Sequence, residues 1–321
     1  MLLAMKPTVF IHTNTKQLVG AKVSAYSLKQ MSKNPEQFAV QVLNLDNYPS
    51  LLKYDGARYL NKGSYRTWKA SDLQSFTLLR FLPPQLMNYE GRAVVIDPDI
   101  FAVSDILELL GRDMGGKAIL CCKEVRRKGS PAQNATSVML LDCGKLRHWR
   151  WEELIEALFA EELDYQDLIT LSVEPEESIG ELEEEWNHFD TLNERTKLLH
   201  NTRITTQPWR TGLPLDWVPR EGKPQPLPEV GLNPASWIGR LKAAFTGQQR
   251  NAVTVYQPHP DSNQERFFFR LLKGCLEENV VTESFIRSEM QKNHLRHDAL
   301  LKISTASNSA QVYSLENAGY G

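Results

Sequence analysis

Cysteine is scarce: Cys121, Cys122, Cys143 and Cys275 are the only four in 321 residues, and no two are spaced as Cys-x-x-C. That removes the spacing of a thiol redox or thiol–zinc motif and argues against a disulfide scaffold. Cys121, Cys122 and Cys143 lie in apolar, strand-like runs. They read as buried free thiols in a reducing, cytoplasmic compartment. Long apolar runs are also missing. None reaches the roughly 18 residues that a membrane-spanning helix needs, so no such helix is expected. The opening stretch, MLLAMKPTVF, is too short for a signal peptide and is expected to lead directly into a strand. A surplus of one charge is missing too, since 37 Lys and Arg face 39 Asp and Glu. No basic tail or block marks a nucleic-acid partner. Acids gather between Glu174 and Glu185, which reads as a solvated face. Lys123, Arg126, Arg127 and Lys128 read first as a solvated loop, and second as one that can attract an anionic acceptor or a lipid head group.

What is present is organised around residues 93–110, AVVIDPDIFAVSDILELL. Ala93-Val94-Val95-Ile96 is expected to be a buried strand. It ends in Asp97-Pro98-Asp99, and Ser104 is placed to N-cap a short helix over Asp105–Leu110. Carboxylates at the carboxyl end of a central strand sit where open α/β sheets bind ligands. Asp97 and Asp99 are two apart, so in extended backbone their side chains leave on one side. Two hard oxygen ligands suit Mg²⁺ or Mn²⁺ better than zinc and leave coordination positions for phosphate oxygens. Asp-Pro-Asp is also good turn chemistry, so the surrounding elements decide between turn and metal site.

Those elements alternate. Thr8–Ile11 reads as a strand ending in His12-Thr13-Asn14-Thr15. A helix follows, with Leu18, Val19, Val23, Tyr26, Leu28 and Met31 on one side, stopped at Asn34-Pro35. Phe38–Leu45 is the next strand, completing a right-handed β-α-β unit and so a parallel pair. Residues 48–68 read as irregular and aromatic. Ser71-Asp72 opens a helix through Arg80, ended by Pro83-Pro84. Strands are expected at Ala118–Val125, Ser137–Leu141 and Lys197–His200. Helices are expected at Trp151–Leu163 and Tyr165–Leu171. Prolines at 208, 214, 219, 224, 226, 228 and 234 mark an extended connection. Trp237–Phe245, Arg266–Glu278 and Glu283–Asp298 read as helices, and the tail from Ser304 is small and polar.

The order of these pieces resembles the family 8 glycosyltransferases, which have the GT-A fold and use nucleotide sugars. The family carries an apolar strand, Asp-x-Asp and a short helix, here VVIDPDIFAVSDILELL. It has a helix ending in arginine before a Leu-Pro break, here SFTLLRFLPP with Arg80. An Asn-(Ala/Ser)-Gly-Val strand is matched by QNATSVMLLDCGKLRHW, an Asp-Gln-Asp by DYQDLI, and a His-Tyr-x-Gly…Lys-Pro-Trp segment by LLHNTRITTQPWRTG. The resemblance spans about residues 8–217. It departs where the family glycine is Ser137, where the first Asp of Asp-Gln-Asp is Tyr165 with Asp164 beside it, and where the family lysine is Gln207. Asn134 also sits one residue upstream of its expected place.

The resemblance implies a GT-A (Rossmann-like) α/β fold, with a mixed, mainly parallel sheet flanked by helices and a helical C-terminal appendage. The expected divisions are 1–217 for the transferase domain, 218–235 for the connection, 236–303 for the helical region and 304–321 for a flexible tail. Asp97, Asp99 and His200 would hold Mn²⁺ or Mg²⁺. Arg80 and Arg203 would meet the diphosphate or sugar, and His12, Thr13 and Asn14, with Asp97, the nucleotide. Gln166 and Asp167 would line the sugar pocket, with Gln166 the candidate beside the anomeric carbon. Trp209 would pack on the nucleotide or fill core.

The implied activity is metal-dependent hexosyl transfer, with retention, from a nucleoside diphosphate sugar such as a UDP-sugar. The acceptor would be a glycan, a lipid-linked sugar or a small molecule. Two other readings compete. A haloacid-dehalogenase-type phosphatase also places Asp-x-Asp after a strand, but wants Thr or Val where Phe101 stands. A GT-A-like protein that binds nucleotide sugar without transferring it is motivated by Ser137, Tyr165 and Gln207. Trp237, Ile238, Leu241 and Phe245 would also suit a helix docking on a membrane or a partner, or one covering the sheet.

Overall fold

The computed structural model describes residues 5–125, 131–216 and 255–306. Strand β1 (Thr8–Thr13), the helix Leu18–Gln30 and strand β2 (Ala39–Asn44) form the expected β-α-β unit, with β1 and β2 parallel. The helix is apolar on two sides for a reason. Ala21 and Leu28 enter the core under the sheet, while Val19, Val23 and Tyr26 enter a second core shared with the C-terminal helices.

Residues 48–68 are more regular than their sequence implies. They contain a short helix, Pro49–Leu52, and a hairpin of β3 (Arg58–Asn61) and β4 (Ser64–Thr67). Its two-residue turn is Lys62-Gly63, both at positive φ, which is the twist that tight hairpins require. The segment expected as an α-helix over 71–80 is instead a 3₁₀ run, Ser75–Phe81. Asn14 Nδ2 claims the carbonyls of Asp72 and Leu73, at 3.0 and 3.3 Å, so those acceptors are diverted from a helical ladder.

Strand β5 (Arg92–Ile96) pairs in parallel with β1. Its residues alternate between two cores, Ala93 and Val95 on one face, Val94 and Ile96 on the other. An unbroken apolar run is what a strand covered on both faces needs. After the Asp-Pro-Asp turn comes a strand the sequence did not announce, β6 (Ile100–Ala102). The following helix is shorter than expected, Leu107–Leu110, and Ser104 does not cap it. Asp105 Oδ1 accepts from the Leu107 N–H instead, at 3.0 Å.

Strands β7 (Ile119–Glu124), β8 (Gln133–Asp142) and β9 (Ile179–Glu181) complete a sheet of order β2-β1-β5-β8-β7-β9. Five strands run one way and β8 alone runs against them. This is the mixed, mainly parallel α/β sheet flanked by helices that was expected. Strand β8 is twice the expected length, and its pairing with β7 shifts between Cys121 and Cys122.

A second, small sheet joins β10 (His188–Phe189), β11 (Leu198–His200) and β6. The helix Trp151–Phe159 ends before Leu163, while Tyr165–Ile169 falls where expected. The C-terminal helices are Ser262–Glu277, Glu283–Gln291 and Ala299–Thr305, so the third expected helix ends early, at Gln291, and a further one follows beyond its expected end. Far from standing apart, they share a core with the first helix. Gly274 lies so close to Tyr26 that a Cβ there would be 2.3 Å from its hydroxyl. The proline-rich connection from 217 on, Trp237–Phe245, the basic residues 126–128 and the tail from 307 lie outside the described residues.

Candidate active site

A cleft of about 1030 Å³ opens where β5 ends, and Asp97, Asp99 and His200 are all on its wall. The small sheet explains how residues a hundred positions apart meet. β11 runs antiparallel to β6 with His200 opposite Ile100, and the Asn201 N–H donates to the Asp99 carbonyl at 3.0 Å. One ligand atom from each of Asp97, Asp99 and His200 falls within 4.8 Å of the others.

Each of the three is held from behind. Arg80 Nη2 donates to Asp97 Oδ1 at 2.5 Å and Nη1 to Thr136 Oγ1 at 2.6 Å, so the guanidinium is clamped on two sides. His12 Nε2 lies 2.8 Å from the same Asp97 oxygen. Burial pushes the Asp97 carboxyl up, but Arg80, with His12 and His200, outweighs it and holds the group well below the usual carboxylate range. Burial lowers the His12 imidazole despite Asp97, so His12 is neutral near pH 7.

Gln207 Nε2 donates to Asp99 Oδ2 at 3.0 Å, and the buried Asp99 Oδ1 faces His200 Nε2 at 3.4 Å. The other side of the site rests on a chain of amides and hydroxyls. Asn187 Nδ2 donates to Ser137 Oγ at 2.9 Å, which turns Asn187 Oδ1 toward His200 Nδ1 at 2.8 Å. His200 Nδ1 therefore donates to Asn187, and Nε2 points into the cleft toward Asp99 Oδ1, 3.4 Å away. Burial lowers the His200 imidazole, and Asp99, then Asp97 and Asp190, overcome this and raise it.

Two carboxylates and one imidazole nitrogen gathered on the wall of a polar cleft fit a metal ion. Four Lys and Arg and five Asp and Glu line the cleft. A divalent cation would turn that near-balance into a net positive pocket.

The other expected residues divide. Arg80 lines the cleft, although its charge is already engaged by Asp97. Arg203 also lines it, with an exposed guanidinium whose Nε is 3.8 Å from Asp190 Oδ2. Gln166 lines it with a buried, unpartnered Nε2. Asp167 does not. One residue on along a helix turns about 100° away, and Asp167 is exposed outside the cleft lining.

His12, Thr13 and Asn14 are also corrected. They are 0, 0 and 4% exposed and form the floor beneath the site, because the 3₁₀ segment folds over the end of β1. Asn14 serves as a brace, bonding Asp72, Leu73 and Ser75. Trp209 is core, stacked on Phe268 at 4.8 Å. The departures have local roles. Ser137 orients Asn187, Gln207 orients Asp99, and Asp164 accepts the N–H groups of Lys62, Gly63 and Gln166, tying the hairpin turn to the helix at Tyr165.

Residues without a sequence signal matter as much. Thr136 and Ser137 reach the cleft because the register shift in β7–β8 bulges β8 beside it. Asn187, Asp190 and His259 gave no motif at all.

No protein-family model matches the sequence. No curated protein matches it either. Solved structures do resemble it. The glycosyltransferase GlyE of Streptococcus pneumoniae TIGR4 is similar at 16% identity and a TM-score of 0.45, over 64% of this chain and 56% of that one. Mouse xyloside xylosyltransferase 1 in its apo form is similar at 15% identity and 0.41, over 63% and 98%. The galactosyltransferase LgtC, in complex with donor and acceptor sugar analogues, is similar at 14% identity and 0.42, over 63% and 89%. The chain thus spans little more than half of the GlyE chain.

Proposed function

We propose that this protein is a metal-dependent glycosyltransferase of the GT-A fold, similar to family 8. It transfers a hexose from a nucleoside diphosphate sugar, a UDP-sugar first, to a glycan, lipid-linked or small-molecule acceptor, with retention. The observation that carries the reading is the set Asp97, Asp99 and His200 on the wall of a large polar cleft. Asp99 Oδ1 and His200 Nε2 face each other there at 3.4 Å, and Asn187 and Gln207 fix the ligands' directions.

When bound, a divalent cation supplies neutralisation of the charge that builds on the leaving diphosphate. The chain's own residues prepare for it. Arg80 keeps Asp97 ionised, Gln207 aims Asp99, and Asn187 holds the His200 ring with Nε2 toward the cleft. Arg203 offers its exposed guanidinium to diphosphate oxygens. The Gln166 amide faces the sugar and the anomeric carbon. Nucleobase and ribose meet a wall braced from below by His12, Thr13 and Asn14.

A phosphatase reading loses ground, because Asp97 is pinned by Arg80 and His12 and Phe101 is buried against Trp209 and Phe268. A binding-only reading loses its motive, since Ser137 and Gln207 orient the metal ligands. The four cysteines are free and buried, in keeping with a cytoplasmic setting. Among the described residues no helix is long and apolar enough to cross a membrane.

The test is calorimetric titration of UDP with and without Mn²⁺, in the native protein and in Asp99→Asn. Asp99 is preferred to Asp97 because removing Asp97 strands the buried Arg80 guanidinium and threatens the fold. Manganese-dependent UDP binding that Asp99→Asn weakens at least tenfold supports the reading. Absence of binding by UDP, GDP and other nucleoside diphosphates refutes it.

A further inference from the structure

The cleft that holds the Arg80–Asp97 clamp is also lined by a second pair of side chains, Asp190 and His259. Asp190 follows β10, and its N–H donates to the His200 carbonyl at 2.8 Å. Its φ is +45°, an unfavourable conformation for a non-glycine residue, and the carboxylate it presents lines the cleft. Asp190 Oδ2 accepts from Thr202 Oγ1 at 2.6 Å. Oδ1 has only the Arg203 N–H, at a long 3.4 Å. His259 comes from the far side of the chain and also lines the cleft. Its side chain is 1% exposed, and Nε2 is 3.8 Å from Asp190 Oδ1. That is too long for a direct hydrogen bond, and Nε2 has no other partner.

Facing a carboxylate, Nε2 carries hydrogen. Nδ1 lies 3.1 Å from the Asp261 N–H and 3.0 Å from the Asp261 carbonyl oxygen, so it accepts from the first in the neutral ring and donates to the second in the charged one. An oxygen seated beside the pair, about 2.8 Å from each and off the line that joins them, would accept from Nε2 and must donate to Asp190. A phosphate oxygen or a base carbonyl has no hydrogen to donate and is repelled by the carboxylate. A hydroxyl group has both functions.

We propose that Asp190 and His259 form a hydroxyl clamp that binds one sugar hydroxyl inside the cleft, separate from the metal ligands. That the hydroxyl belongs to a sugar rests on the transferase reading; that the pair takes a hydroxyl does not. The sugar is either the donor hexose or the acceptor.

Two measurements test this. In a high-resolution crystal structure of the ligand-free protein, a water stands in for the hydroxyl, within about 3.2 Å of both Asp190 Oδ1 and His259 Nε2. Direct closure of the pair, with no water between, overturns the proposal. This arm needs no nucleotide, so it decides the clamp even if UDP fails to bind and the transferase reading falls.

The second arm compares native protein, His259→Phe, His259→Gln and Asp190→Asn. Glutamine keeps a donor near Nε2, and asparagine tolerates the positive φ of Asp190. If the hydroxyl is the donor's, His259→Phe weakens UDP-hexose binding about tenfold and leaves UDP unchanged. If it is the acceptor's, UDP and UDP-hexose bind as before. Transfer to a panel of methyl hexosides then falls about tenfold, while hydrolysis of UDP-hexose is unchanged. His259→Gln restores most of the loss in either case. Equal binding and equal transfer in all four proteins overturn the proposal.

Discussion

Replacing Gly20 with alanine adds one methyl group, and its surroundings are known. The new Cβ would stand 2.7 Å from the Pro98 carbonyl oxygen and 3.7 Å from the Trp209 ring. A carbon and a carbonyl oxygen settle at about 3.3 Å or more, so helix and Asp-Pro-Asp turn must separate by about 0.6 Å. Neither atom belongs to a flexible side chain. Helix propensity alone favours alanine by about 0.8–1 kcal/mol. Overpacking against a fixed backbone costs about 1–3 kcal/mol. The net is a loss of roughly 0–2 kcal/mol, visible as a melting temperature lower by a few degrees.

The sharper consequence is local. Pro98 sits between Asp97 and Asp99, and a shift of about 0.6 Å exceeds the roughly 0.5 Å that a metal site tolerates. Mn²⁺ affinity should fall about tenfold, read by calorimetry or by the electron paramagnetic resonance of free Mn²⁺. A Gly20→Ala protein that melts higher than native and binds Mn²⁺ equally would refute the reasoning that this helix sets the turn.

Three further outcomes are expected. Asn187→Leu keeps the branched shape but removes the acceptor for His200 Nδ1–H, so Mn²⁺ affinity should drop about 10–100-fold. In the metal-free native protein the His200 Nδ1–H should give a low-field, exchange-protected proton resonance that Asn187→Leu removes; an unchanged resonance would disprove the orienting role. Gln207→Lys puts an ammonium beside Asp99 in a site that is 0% exposed. It should compete with the cation and weaken Mn²⁺ binding at least tenfold, and tighter Mn²⁺ binding would contradict this.

Glu289 is 1% exposed and accepts from His294 Nδ1 and Lys292 Nζ at 2.8 and 2.9 Å. Burial pushes its carboxyl up, but these partners hold it below the ordinary value of about 4.3. A depressed folded value stabilises above the unfolded one and is lost as pH falls through it. Glu289→Gln should therefore cost about 1–3 kcal/mol near pH 7. By denaturant unfolding, the gap from native should close below about pH 4; a gap that widens in acid reverses the sign.

Where sequence and structure agree, the local signal was strong and two-sided. The run Ala93–Ile96 had to be a covered strand, and the acids after it had to leave at its end. His200 was placed by the order of motifs, and β11 delivers it through pairing with β6, a strand too short to show periodicity. The errors are long-range effects. Asn14 diverted the carbonyls that would have made a helix of residues 71–80, and that fold buried His12, Thr13 and Asn14 as it formed. Lys62-Gly63 was a legible hairpin turn that the irregular aromatic context obscured. Asn187, Asp190 and His259 act through partners distant in sequence, so no spacing announces them. Ser137 and Gln207 looked like losses because a departure from a pattern carries no record of the neighbour that uses it.

The central claim is that the cleft transfers sugar rather than only holding it. The most direct measurement is release of UDP from a panel of UDP-hexoses, with water as the acceptor, in native protein and in Asp99→Asn. The account predicts slow release that requires Mn²⁺ or Mg²⁺, stops with chelator and is lost in Asp99→Asn. No release from any nucleotide sugar, in protein that still binds UDP and Mn²⁺, would contradict transfer and leave a binding protein in its place.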